Sequence, residues 1–175
     1  MKRVLFFDVE TNNLRNDKIC QIAVIYEEDG KEVFAKSWYV NPESPFAERT
    51  IQIHGITPDM VKDAPAFPAV WDEIHEYFEK SLVVGHNISF DLAVLDKVFQ
   101  FYDIVVDAIT YGDTMVKAGQ MRDYWGSCGL HPLCEYYGDE LDHHHDAMSD
   151  TKACRDLYHI FDEQRKWDRY DEKTY

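Results

Sequence analysis

The chain has 175 residues, which suits one domain with a single core, and its 45% hydrophobic content is ordinary for a globular protein. No apolar run approaches the roughly 18 residues needed to span a bilayer. Val4 to Phe7 is too short for a signal-peptide core, so a soluble, cytoplasmic protein without membrane association is expected. A net charge of −15 argues against tight non-specific binding to long duplex DNA, which depends on many Lys and Arg contacts to phosphate. Carboxylates committed to divalent metals would nevertheless reverse the local field where a phosphate must sit, so the acidity limits substrate size or calls for a partner without excluding nucleic acid.

In chain order, Val4 to Glu10 is a nearly continuous apolar, β-forming run, as expected of a strand buried on both faces. Runs from Ile19 to Tyr26 and from Glu32 to Val40 flank the turn-like Glu28-Asp29-Gly30 and predict an antiparallel hairpin. Pro42, Pro45, Pro58, Pro65 and Pro68 then mark a connection with one short helical turn after Thr57. Phe67, Val70, Trp71, Ile74, Tyr77 and Phe78 fall at helical spacing, and Leu82-Val83-Val84 reads as a short buried strand. A helix is expected from about Asn87 to Phe101, a further strand at Ile104-Val105-Val106, and helices over 130–137 and 146–166. The order implies an α/β fold with a mixed sheet of about five strands, the first three antiparallel, flanked by helices. Residues 1–166 are expected as a single domain and 167–175 as a polar, frayed tail. Cys20, Cys128, Cys134 and Cys154 lack the close spacing of a zinc or redox site and read as reduced, mostly buried thiols.

Four carboxylates and a histidine carry the chemistry. Asp8 and Glu10 are two apart on a strand, so both side chains leave one face and can converge on a shared cation. Asp91 ends the stretch Gly85-His86-Asn87-Ile88-Ser89-Phe90-Asp91 that directly follows the Leu82-Val84 strand, and falls in the first turn of a helix. His145 precedes Asp150 by five residues, close enough for both to line one site. Each has a bland explanation alone: Asp8 and Glu10 as solvated strand-end residues, Asp91 and Asp150 as complements to helix dipoles, His145 as part of a solvated histidine run. Together they bring acids from three segments and one base of near-neutral pKa, the inventory of phosphodiester hydrolysis. Two divalent ions about 4 Å apart clamp the attacking and leaving oxygens of an in-line displacement while a histidine takes a proton from water. Oxygen-rich ligands favour Mg²⁺ or Mn²⁺ over zinc.

Five stretches, Phe7-Asp8-Val9-Glu10-Thr11, Ile53-His54-Gly55-Ile56-Thr57, Val84-Gly85-His86-Asn87-Ile88-Ser89-Phe90-Asp91, Asp113-Thr114 and His145-Asp146-Ala147-Met148-Ser149-Asp150, are in register with a known family. On them the chain resembles the DEDDh 3′→5′ exonucleases, typified by the proofreading subunit of bacterial DNA polymerase III, within the ribonuclease H-like fold. The resemblance implies that Asp8, Glu10, Asp91 and Asp150 hold two Mg²⁺ or Mn²⁺ ions and that His145 is the general base. It further implies that Thr11, Asn12 and Leu14 cradle and wedge the 3′-terminal nucleotide, with His54 and Asn87 nearby. Met148 and Ser149 before Asp150, and Thr151 after it, depart from the usual alanine, leucine and acid before the metal-binding aspartate and alanine after it. His143 and His144 raise a register question, which the five-residue spacing to Asp150 resolves for His145. A zinc-binding His143-His144-His145 triplet is a minor alternative.

Lys117, Arg122, Tyr124 and Trp125 could present phosphate contacts and a stacking face to a single strand, or Tyr124 and Trp125 could simply pack inward. The expected function is removal of nucleoside 5′-monophosphates from single-stranded DNA or RNA 3′ ends. The alternatives are an enzyme for short RNA oligomers or RNA 3′-end trimming, and a module that docks on a polymerase or other protein partner.

Overall fold

The computed structural model describes residues 1–121, 126–138, 141, 145–163 and 172–175. Among them β1 (Arg3–Thr11), β2 (Ile19–Glu28) and β3 (Lys31–Tyr39) form an antiparallel meander. Then come α1 (Glu48–His54), α2 (Pro58–Val61), α3 (Phe67–Lys80), β4 (Leu82–Gly85) and α4 (Ile88–Phe101). The chain continues through β5 (Thr110–Asp113), α5 (Thr114–Gly119), α6 (Leu130–Tyr137), α7 (Ala147–Glu163) and β6 (Lys173–Thr174). The sheet order is β3-β2-β1-β4-β5-β6, with β1, β4 and β5 parallel to one another. The mixed α/β architecture and the antiparallel start are as expected.

Strand periodicity sorts β1 into two cores. Leu5, Phe7 and Val9 join the cluster built with Trp71, Phe78, Leu92 and Leu95 of α3 and α4. Val4 and Phe6 join the opposite cluster with Leu133, Leu157, Tyr158 and Phe161 of α6 and α7. The Phe6 and Tyr158 rings meet edge to face at 5.3 Å. Asp8 and Glu10 continue the Val4–Phe6 face, so alternation alone aims them to the side on which α7 begins.

Three expectations change. No strand forms at 104–106, where Val105 is 96% exposed; the strand is β5, paired through Tyr111, Gly112 and Asp113 with Val83, Val84 and Gly85. β-Branched content is a weak signal against sheet register. Among the described residues the sheet has six strands, because Lys173 and Thr174 pair with Tyr111 and Thr110 where a frayed tail was expected. The proline-rich connection holds α1 as well as the expected turn α2, and α5 follows β5. α1 starts on Ala47, which offers no side-chain cap, and its readable signal is the end, Gly55 at φ 75°. The final helix is described from Ala147 to Glu163; its expected extension to 166 lies outside the described residues, as do Arg122, Tyr124, Trp125, His143 and His144. The four cysteines are thiols outside any disulfide, with Cys20, Cys134 and Cys154 buried. Among the described residues no helix is long and apolar enough to cross a membrane.

Candidate active site

At the C-terminal end of β1 a cleft of about 520 Å³ is lined by Asp8, Glu10, Asp91, His145 and Asp150, together with Thr11, Leu14, His54 and Asn87. Nine of the ten residues singled out from the sequence thus share one cavity. A ligand atom from each of Glu10, His145 and Asp150 lies within 4.8 Å of the others.

Each group has a local reason to be there. β4 pairs with β1 only as far as Phe6, so the next N–H groups on that edge need another acceptor, and Val9 N–H donates to Asp91 Oδ1 at 3.1 Å. Asp91 reaches this point because β4 runs straight into α4 through Gly85. A Cβ on Gly85 would meet Ile88 Cγ1 at 2.9 Å, so the tight approach needs glycine. Asn87 caps α4 in the left-handed conformation (φ 62°), which asparagine tolerates, and its N–H donates to Asp113 Oδ1 at 3.0 Å. Ser89, although a good capping residue by type, lies inside the helix.

On the opposite wall His145 is also left-handed, at φ 68°, and its N–H donates to Asp150 Oδ2 at 3.2 Å. Asp146 then starts α7, accepting from Ser149 N–H on its side chain and from Asp150 N–H on its carbonyl.

Sequence reasoning missed two supports. Gln21 of β2 donates to Asp146 Oδ2 at 3.0 Å and accepts from Ala147 N–H at 3.2 Å, clamping the turn that carries His145. Its signal was available: a lone amide inside the apolar run Ile19 to Tyr26. Thr114 donates to Gly85 O and therefore accepts from His86 Nδ1, bracing the strand-to-helix corner. Ile53, Phe90 and Met115 also line the cleft.

The expected nucleotide contacts divide. Leu14 is 65% exposed on the rim of the cleft and is not a core residue. Thr11 lines the cleft, its hydroxyl donating to Asn16 Oδ1. His54 has both ring nitrogens on backbone: Nε2 donates to Thr11 O at 3.0 Å and Nδ1 accepts from Ile56 N–H at 3.0 Å. That pairing selects the neutral ring, in keeping with burial lowering its pKa. Asn12 is the exception to the cleft. It is fully buried, and its amide is consumed by Ser44 O, Ser44 Oγ and Pro45 O.

Four carboxylates face this cleft and no Lys or Arg lines it among the described residues. Burial, reinforced by Asp91, Glu10 and Asp150, holds Asp8 well above the usual carboxylate range. Burial and then Asp150 and Asp91 push Glu10 up to about 9. Asp91 is pushed to about 8 by burial, against the opposing hydrogen bond from Val9. Such groups stay protonated at neutral pH or share a cation. All-oxygen donors with one imidazole fit a hard divalent ion, and the α4 and α7 N-termini add positive potential beneath Asp91 and Asp150.

A family model described as Exonuclease matches residues 5–158. The chain belongs to this exonuclease family. The PolC-type DNA polymerase III of Staphylococcus aureus is 33% identical over 149 residues, covering 84% of this chain and 10% of the polymerase. That of Staphylococcus haemolyticus is 32% identical with the same coverage. The chain therefore spans about a tenth of the length of these curated relatives. Among solved structures, Exonuclease X in complex with 5′ overhanging duplex DNA shares 26% identity at TM-score 0.75, covering 98% of this chain and 96% of that one. The nuclease domain of 3′hExo, a DEDDh family member bound to rAMP, superposes at TM-score 0.81 with 15% identity, covering 93% and 92%, and speaks for the fold alone. The chain is thus a nuclease hydrolase of the exonuclease family, its fold is shared with a DEDDh family member, and the clustered acids are those of a metal-dependent family.

Proposed function

We propose that the chain is a 3′→5′ exonuclease acting as one domain on single-stranded DNA or RNA 3′ ends and releasing nucleoside 5′-monophosphates. The observation that carries this reading is the convergence of Asp8, Glu10, Asp91 and Asp150 with His145 in one cleft that lacks a side-chain cation of its own among the described residues. Asp8, Glu10, Asp91 and Asp150 would hold two divalent cations, Mg²⁺ or Mn²⁺. Bound there, the ions supply the charge that acidifies water and offsets negative charge on the scissile phosphate. His145 accepts the proton of the attacking water. Thr11 and the exposed Leu14 side chain seat the terminal nucleotide, with Asn87 facing it across the cleft. His54 holds the Thr11 carbonyl and so shapes this seat from behind. Asn12 acts one layer further back, holding the Ser44–Pro45 loop.

The identity with PolC-type polymerases favours DNA ends and a polymerase as protein partner. Digestion of matched 5′-labelled DNA and RNA oligomers with Mg²⁺ or Mn²⁺ tests the reading, with chelator and Asp150→Asn as controls. The expected result is a ladder shortening from the 3′ end, with mononucleotide product, absent in both controls. Near-normal rates for Asp150→Asn would overturn the assignment. Folded, metal-binding protein that cleaves neither oligomer would favour a partner-docking module.

A further inference from the structure

Most described cations of this acidic chain are engaged by its own groups. Lys2, Arg3, Lys36, Lys80 and Arg155 face carboxylates. Lys97 donates to the carbonyls of Arg15 and Asn16, and Lys18 lies over the Phe101 ring. Beside the cleft, two lysines far apart in sequence come to one place. Lys117 of α5 and Lys173 of β6 line one small hollow of about 60 Å³ with Ser89 and Gln120. Asp113 lines it too, but its Oδ1 already accepts N–H groups from Asn87, Met115 and Val116, three dipoles that offset the carboxylate charge.

Hollow and cleft are neighbours on the same two helices. Phe90 and Met115 line the cleft, and the adjacent Ser89 and Val116 line the hollow. Phe90 and Val116 are 40% and 38% exposed, which gives the divide between them an apolar surface. A strand with its 3′ end among the carboxylates can therefore leave on the α4–α5 side, cross an exposed ring and reach two ammonium groups. Resting on the exonuclease reading, we propose that the Lys117–Lys173 hollow is an anion subsite for a backbone phosphate of the substrate strand, 5′ of the scissile bond. Ammonium, hydroxyl and amide donors suit a phosphate without reading sequence, and a base face can lie on Phe90 whatever its identity. In a chain of net charge −15 the subsite supplies attraction for the strand outside the metal-ligand cleft.

The test compares wild type with Lys117→Gln, Lys173→Gln and the double variant. The substrates are the p-nitrophenyl ester of thymidine 5′-monophosphate, a thymidine dinucleotide and an oligomer of about eight residues. We expect the double variant to lose about tenfold in kcat/KM on the long oligomer at low salt, and far less on the ester and dinucleotide. Its dependence of log kcat/KM on log salt should be shallower by about 0.7 for each lost contact. Wild-type length and salt dependence in the double variant, or an equal loss on all three substrates, overturns the subsite. Should replacing Lys173 disturb β6, Lys117→Gln alone decides by the same criteria. If wild type cleaves none of the substrates with Mg²⁺ or Mn²⁺, the exonuclease reading fails as well; if it cleaves them and only the length effect is missing, the subsite alone fails.

Discussion

The floor of the cleft and its His145 wall present charged groups to the same space but are held by different physics. Asp8 and Glu10 ride a strand paired with β2 along its length, and the residues alternating with them are buried core. Displacing them means displacing the sheet. His145 stands on a left-handed turn held by its bond to Asp150 and by the grip of Gln21 on Asp146 and Ala147. Mutually repelling acids need a rigid scaffold to stay together, whereas a proton acceptor can be aimed by a few hydrogen bonds. Changes in the floor should therefore appear in turnover where an acid is altered and in stability where the core beneath it is altered, and changes in the wall mainly in kcat.

The largest expected effect is on the floor. Asp8→Asn should lower turnover by about 10³-fold or more, the scale of several kcal/mol of charge stabilisation, while the melting temperature holds or rises because a buried repulsion is removed. A melting temperature well below wild type would mean that Asp8 supports the fold. Phe6→Ala, beneath the acids, should lose about 3–5 kcal/mol of stability in denaturant titration with activity retained per folded molecule.

The pH dependence of stability reports on the buried carboxyl groups. Glu10 and Asp91 have folded-state values raised to about 9 and about 8 from ordinary values of 4.5 and 3.8. Unfolding at neutral pH then releases protons, so their contribution is fully present below the ordinary values and is lost as pH rises through the folded ones. The melting temperature of metal-free protein should fall from about pH 4.5 to about pH 9, and Glu10→Gln should flatten that slope. Divalent cation should raise it most at the alkaline end.

Gln21→Leu tests the wall. Loss of its bonds to Asp146 and Ala147 should lower kcat about tenfold, near 1–1.5 kcal/mol, with little change in metal affinity measured by calorimetry. A matching loss of metal affinity would show that Gln21 supports the floor too. Smallest is Leu14→Ala on the exposed rim, expected to raise KM a few-fold with an unchanged melting temperature.

Legibility followed the range of the physics involved. Period-two alternation on β1 was enough to put Asp8 and Glu10 on one face, and helical spacing located α3, α4 and α6. Ile104-Val105-Val106 misled because its composition suits a strand, while the pairing of Gly112 and Asp113 with β4 put the strand further on. Gln21 was overlooked because an amide in a strand declares its purpose only when its partner, more than a hundred residues away, is in place. Asn12 sat among true cleft residues in sequence, and only the Ser44–Pro45 loop folding over it turned its amide inward.

By itself, then, the sequence determined the chemical inventory: four carboxylates and a histidine in a family order, on elements whose local periodicity could be read directly. Tertiary structure decided which groups meet. Side-chain alternation is a property of consecutive residues, but the raised carboxyl groups, the clamp on His145 and the meeting of Lys117 with Lys173 depend on burial and on distances between segments remote in the chain.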